Sequence, residues 1–242
     1  MSGNFFLFHL LILEGISPGE GLYHFHLLNF PVNSPAESKV KAGIPIILSN
    51  TIHYQLRKGV VMYHRREWSP GCTYHITARG NRQYTIFRNK DDRLMYLKYL
   101  EDAKHKYPFI LHSYCLMTNH VHLLLQTIDD PPGKIIHQTH YRYARYFNKK
   151  NGFNGHLFEG PYRSVIIKNN KQLVDTSCYI HLNPIKAGIV TDPGSYQWSS
   201  YRSFITNSRN IHVNQDRILS YMNNSKENYK FYTETKLYQF NN

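Results

Sequence analysis

The sequence predicts an α+β fold, a ferredoxin-like antiparallel sheet in the order β-α-β-β-α-β-α with helices on one face. Three observations carry this. CTYHITARG (72–80) alternates apolar and polar residues and stops at a glycine, as a half-buried strand does. NKDDRLMYLKYLEDAKHKY (89–107) spaces Leu94, Leu97, either Tyr99 or Leu100, and Ala103 near the helical period. Two further apolar runs, FILHSYCLM (109–117) and HVHLLLQT (120–127), are joined by the polar turn Thr118-Asn119, which makes them an antiparallel pair.

The remaining elements follow in order. Asn89 or Asp91 caps the first helix, because a short polar side chain there can take an unpaired backbone N–H. Residues 132–150 read as a second helix, basic and aromatic. HLFEGPYRSVIIK (156–168) supplies a fourth strand and KQLVDTSCYIHLN (171–183) the last helix. A helical appendage is expected over 205–242. Residues 1–61 look different: they carry net +1, leaving +12 for residues 62–242, and show scattered Gly and Pro without a sustained period. They are expected to be a poorly organised extension, not part of the working protein and dispensable for catalysis, with the functional chain beginning near Met62.

Composition narrows the function. Lys and Arg number 29 against 16 Asp and Glu, giving net +13, with 20 tyrosines and 15 histidines. Such an excess suits a polyanionic partner, and aromatics interleaved with cations suit the stacking of unpaired bases. Cys72, Cys115 and Cys178 are odd in number and have no C-x-x-C spacing, so neither a disulfide framework nor a zinc knuckle is indicated. A reducing cytoplasm is the expected location. No apolar run approaches the ~20 residues of a membrane span, and FFLFHLLIL (5–13) lacks the basic flank and small-residue cleavage site of a signal peptide.

The stretch TNHVHLLLQT (118–127) places two histidines one residue apart at the head of an apolar run. On a strand, His120 and His122 project from one face while Val121 turns to the other. Side by side they can hold one divalent cation; equally, they can be ordinary polar residues on a half-exposed strand. In the last helix Tyr179 and Asn183 are four apart and share a face. Pro184 biases Asn183 away from helical geometry, so Asn183 can cap a following turn with Pro184 at its first position. Residues 141–171 carry Arg142, Arg145, Lys149, Lys150, Arg163, Lys168 and Lys171 against a single acid, Glu159. Interleaved with Tyr141, Tyr143, Tyr146, Phe147 and Tyr162, they read as a track for a nucleic-acid backbone with stacking platforms. Arg79 and Asn81 either reach a phosphate or fix a loop.

Five blocks give these residues a context: ITARGNRQYTIF (76–87), YCLMTNHVHLLLQT (114–127), HLFEGPYRS (156–164), YIHLNPIKAGIV (179–190) and YQWSSYRSF (196–204). In this order they resemble the single-tyrosine transposases of the HUH nuclease class, in particular the REP-associated tyrosine transposases with their IS200-like domain. The resemblance covers about residues 65–204, and the transposase domain is set at 62–204. It implies cleavage and rejoining of single-stranded DNA beside hairpins through a tyrosine ester, with Mg²⁺ or Mn²⁺ as cofactor. By that resemblance Tyr179 is the nucleophile, His120 and His122 are metal ligands, and Asn183 is the third. Two other readings stand beside it. One is a non-catalytic or decayed ferredoxin-like nucleic-acid-binding module; the other is a replication-initiator or relaxase-type nuclease, disfavoured by the short chain. Monomer and homodimer both fit, and the target hairpin is not legible.

Overall fold

The structure is a computed structural model that describes Phe8–Ile12, Phe25–Asn29 and residues 68–241. The chain divides into two compact units, Met1–Arg66 and Glu67–Asn242. In the first, β1 (Phe8–Ile12) pairs antiparallel with β2 (Phe25–Asn29), Phe8 opposite Asn29. The rest of the 1–61 expectation lies outside the described residues.

The second unit contains β3 (Thr73–Arg79), α1 (Lys90–Lys106), β4 (Phe109–Leu116), β5 (His120–Thr127), α2 (Pro132–Asn151), β6 (Arg163–Ile166) and α3 (Asn170–Lys186). Three short helices follow: α4 (Tyr201–Ile205), α5 (Asp216–Ser220) and the longer α6 (Lys226–Asn241). The sheet has the order β4-β5-β3-β6, antiparallel throughout. The predicted class and element order therefore stand. The fourth strand is shorter than its apolar pattern suggested. Gly160 adopts φ 59° and Pro161 has no N–H to give a ladder, so regular pairing starts only at Arg163.

Alternation along the strands builds two cores. Tyr74, Ile76 and Ala78 of β3 and Val121, Leu123 and Leu125 of β5 face α1 and α2, where they meet Leu97, Leu100, Ile135 and Tyr143. Cys115 and Leu124 face the other way, against Leu173, Val174 and Cys178 of α3. Helices on one face describes α1 and α2; α3 crosses the opposite face. The reason is visible on β5, where Leu124 makes the second face apolar enough to need cover.

Local signals set the helix ends. Asn89 caps α1 by accepting the Asp92 N–H, and the Asp92 carboxylate returns the bond to the Asn89 N–H. Gly152, at φ 65°, stops α2 in the left-handed conformation that costs a side-chain-bearing residue more. Arg142 bridges to Asp102 at 2.7 Å and Lys150 to the buried Asp92 at 2.7 Å, so two cations of α2 tie it to α1. The segment read as a helical appendage carries α5 and α6, and Tyr229 of α6 is buried against α3.

His181 of α3 is fully buried between Tyr229 Oη at 2.9 Å and Ser200 Oγ at 2.8 Å. Burial lowers its pKa from 6.5 to about 3, and burial together with neighbouring positive groups lowers that of His122 to about 2. A histidine depressed in the folded state gives its full contribution above the unfolded pKa of about 6.5 and loses it as pH falls, because the unfolded chain takes up protons first. Between pH 7.5 and 5.5 each should cost roughly 1.4 kcal/mol of stability, and the depressed imidazoles of His75, His120 and His140 add to the loss. Urea denaturation in chelator at the two pH values checks this. Equal midpoints would mean that neither imidazole is held neutral.

Candidate active site

The antiparallel register lays three side-chain rows across the α3-facing side of the sheet. Arg79 stands opposite His120. Cys115, His122, Thr77 and Arg163 form the second row, and Ser113, Leu124, His75 and Val165 the third. Cross-strand partners share a face, so the two histidines of β5 meet Thr77 and His75 of the central strand β3.

His122 is 5% exposed. Its Nδ1 lies 3.0 Å from His75 Nε2 and 3.3 Å from Thr77 Oγ1. The two rings stack at 5.2 Å with an interplanar angle of 23°. His120 is half-buried with its ring 5.0 Å from that of His122, and its Nδ1 donates to Asn119 Oδ1 at 2.7 Å. The Asn119 amide is itself oriented, because its Nδ2 donates to the Gln83 carbonyl at 3.3 Å. Burial lowers the pKa of His120 to about 4, with Arg79 adding to the effect, and that of His75 to about 4. All three imidazoles are therefore neutral at pH 7 and keep a lone pair.

Tyr179 comes to this face from α3. Its ring stands edge-on to His122 and to His75, 5.8 Å from each, and 36% of the residue is exposed. Lys186, two turns further on, places its ammonium 4.4 Å from the Tyr179 ring centroid. A cavity of about 340 Å³ opens beside Tyr179, lined by His75, Asp175, Thr176 and Lys236. Asn183 is inside α3, not before a new helix: its carbonyl accepts the Ala187 N–H at 3.0 Å, and α3 runs to Lys186 with Gly188, at φ 65°, just beyond. The capping role is thereby excluded. Pro184 forfeits its own bond to the Ile180 carbonyl, yet α3 continues through it to Lys186. The Asn183 amide donates its Nδ2 to the Tyr179 carbonyl at 2.8 Å, which leaves Oδ1 as an unused acceptor.

The donor chemistry fits a divalent cation. His120 Nδ1 donates to Asn119, which leaves its Nε2 lone pair available; His122 Nε2 is available when its Nδ1 carries the proton shared with His75, and Asn183 Oδ1 is a neutral oxygen on the helix that faces them. Among the described residues no three of histidine, cysteine, aspartate and glutamate converge to hold an ion. Two imidazoles and an amide would hold such an ion only with oxygen ligands from outside, a donor set of the kind that suits Mg²⁺ or Mn²⁺.

The basic residues divide. Arg163 is on the histidine face, in the row of Thr77 and His122. Arg79, exposed next to His120, joins it, whereas Asn81 fixes its loop by a bond from Nδ2 to the His156 carbonyl. Gly80 is required there: a Cβ would come within 2.2 Å of the Tyr84 carbonyl oxygen. Lys168 and Lys171 lie exposed around the start of α3, with Lys171 bridged to Asp175 at 2.6 Å. Arg142, Arg145, Lys149 and Lys150 ride on α2, which covers the opposite face, so the seven do not form one track. Arg145 and Lys149 line a groove of about 1460 Å³ between α2 and residues 153–162, with Tyr141 and Tyr162. Tyr143 and Phe147, read as stacking platforms, are core residues of α1 and α2 packing. Sequence reading missed His75 and Thr77. The signal was present in CTYHITARG, whose polar positions His75, Thr77 and Arg79 share one face.

Residues 69–183 match the family described as Transposase IS200 like. Among solved structures, the chain is similar to a REP-associated tyrosine transposase bound to a REP hairpin, at 18% identity and a TM-score of 0.52, over 64% of this chain and 92% of that one. A crystal structure of a candidate transposase from Deinococcus radiodurans R1 aligns at 17% identity and a TM-score of 0.35, over 49% of this chain and 95% of that one. No curated protein matches the chain. Among the described residues no helix is long and apolar enough to cross a membrane.

Proposed function

Through residues 69–183 this chain belongs to the IS200-like transposase family, and from that membership we propose that it cleaves and rejoins single-stranded DNA beside hairpins through a covalent bond to Tyr179. The observation that carries the proposal is the meeting of Tyr179 with His122, edge to face at 5.8 Å, on the sheet face that also bears His120. The tyrosines of the basic segment are not rivals: Tyr143 is buried, Tyr141 and Tyr146 lie on α2 across the sheet, and Tyr162 lines the groove along α2.

The residues divide the work. The Tyr179 hydroxyl gives up its proton and its oxygen bonds to phosphorus, while the bond to the departing strand breaks and that strand leaves as a free hydroxyl. The phosphotyrosine stores the bond, so a second strand end can reverse the step without an external energy source. A bound Mg²⁺ or Mn²⁺, held by His120, His122 and Asn183, would supply the Lewis acid that neutralises charge on the attacked phosphate. Arg79 and Arg163 present fixed positive charge on the same face, suited to the flanking backbone. The groove along α2, with Arg145 and Lys149, suits the stem of a hairpin, the kind of DNA that the structural relative binds.

The test is direct. Incubated with Mn²⁺ and a hairpin-bearing single strand, the protein should yield a protein–oligonucleotide adduct that survives denaturing electrophoresis. DNA binding with no adduct under any divalent cation would leave a binding module in place of an enzyme.

Affinity should fall with salt. Arg145, Lys149, Arg163 and Lys168 are exposed and free of ion pairs among the described residues. Four such cations on phosphates predict a slope of log K against log salt of about −3 for a single strand. Anisotropy titrations from low to physiological salt measure it, and a slope near zero would remove the backbone-contact reading.

A further inference from the structure

His75 belongs to neither the expected ligand set nor the nucleophile, yet it touches both. Its Nε2 is 3.0 Å from His122 Nδ1, its ring stacks on that of His122, and its edge meets the Tyr179 ring at 5.8 Å. Two neutral imidazoles facing nitrogen to nitrogen share a single proton between them. If His122 Nδ1 carries it, His122 Nε2 is a lone pair and can bind a cation. If His75 Nε2 carries it, His122 holds its remaining proton on Nε2 and cannot bind there. The identity of the acceptor beside His122 therefore decides whether the ligand is usable.

Histidine ligands commonly give their second N–H to a carboxylate or a backbone carbonyl. Neither is at hand. β3 is paired on both sides, to β5 and to β6, so its backbone carbonyls serve the ladders. The acceptor has to be a side chain at alternate positions of β3, and His75 and Thr77 occupy them. Of the two, His75 Nε2 is the nearer to His122 Nδ1, at 3.0 Å against 3.3 Å.

We infer that His75 is a positioning residue: its Nε2 accepts the His122 Nδ1–H, fixing the tautomer that leaves His122 Nε2 open for a divalent cation, while its ring seats Tyr179. The tautomer half needs no cation; the cation half rests on the reading of His122 as a ligand given under Proposed function. The central strand thus carries an imidazole whose task is the state of another imidazole.

Long-range ¹H–¹⁵N spectra of the metal-free full chain at pH 7.5, with ¹⁵N-labelled histidine, read the tautomer. The wild type should show His122 protonated on Nδ1 and bare on Nε2. His75→Phe keeps a ring against Tyr179 but removes the acceptor, and the Nε2–H form of His122 should gain population. Calorimetric Mn²⁺ affinity should fall about 10- to 100-fold, the range for loss of a partner behind a ligand. DNA binding in chelator should be unchanged, and excess Mn²⁺ should restore adduct formation. His75→Gln returns an acceptor oxygen and should recover part of the affinity; it also serves if the Phe variant fails to fold. His122 protonated on Nε2 in the wild type would overturn the inference. So would an unchanged tautomer and unchanged Mn²⁺ affinity in both variants. Complete loss of Mn²⁺ binding in both variants would make His75 a ligand itself, not a positioning residue. A wild type that binds no Mn²⁺ would sink the metal reading alone, since the spectra still decide the tautomer.

Discussion

His120→Ala should lose metal-dependent cleavage by about 10²- to 10³-fold while still folding and still binding DNA in chelator, because a Lewis acid on phosphate is worth several kcal/mol and the cations supply most of the affinity. His120 is the sharper of the two ligand tests. It is half-buried and its ring nitrogen answers only to Asn119, which faces solvent enough to find water. His122→Ala should give the same loss of cleavage with a folding cost added. Removing that ring empties a buried position and leaves His75 without its partner, a change of roughly 1–3 kcal/mol. Cleavage assays across Mn²⁺ concentration, with urea denaturation of both variants in parallel, separate the two effects. Wild-type cleavage by His120→Ala in Mg²⁺ or Mn²⁺ would remove the metal role. Unfolding of both variants would mean that the pair serves the fold alone.

Much of this arrangement was legible in the chain, for identifiable physical reasons. Strand alternation and the Asn89 cap set the first four elements of the domain almost residue by residue, since each depends on neighbours in sequence. The pairing of His120 with His122 needed only the two-residue period of a strand. What alternation could not say was which helix takes which face. Both faces of β5 are apolar around Leu124 and Leu123, and the side that α3 covers is a tertiary outcome. For the same reason the cations of α2 looked continuous with those of β6. Charge in sequence order does not report that Arg142 and Lys150 are already paired with Asp102 and Asp92. His75 was hidden because its partner is 47 residues away, across a strand pair whose register the sequence does not print. Pro184 misled in the other direction: it costs α3 one bond to the preceding turn, yet the helix runs on to Lys186 because its buried side is held by Leu173, Val174, Cys178 and Ile180.

Tyr179→Phe should fold, bind Mn²⁺ and bind hairpin DNA as the wild type does, and should form no covalent adduct. The substitution removes one oxygen and leaves the ring that packs at 5.8 Å against His75 and His122, so the edge contacts and the Lys186 ammonium over the ring persist. Neither His120 nor His122 draws on the hydroxyl for a hydrogen bond, which keeps the ligand geometry out of the test. Position argues for this tyrosine over the others in the chain. A nucleophile must reach a phosphate that sits over the histidine pair, and effective concentrations of the kind that matter in catalysis come from holding it there on a rigid element. α3 does so with its buried side locked by Leu173, Val174, Cys178 and Ile180, while Tyr179 is left to the cleft. Asn183, one turn on, ties its amide to the Tyr179 carbonyl, so the proposed nucleophile and the proposed oxygen donor are held on one element. Loss of the attacking oxygen should lower strand cleavage by at least about 10³-fold, the scale on which removal of a covalent nucleophile acts. Denaturing gels with a labelled oligonucleotide measure the adduct, and peptide mapping of the wild-type adduct places the linkage. An adduct in the Phe variant, with the linkage at Tyr141, Tyr146 or another tyrosine, would show that the histidine face is not where the strand is cut.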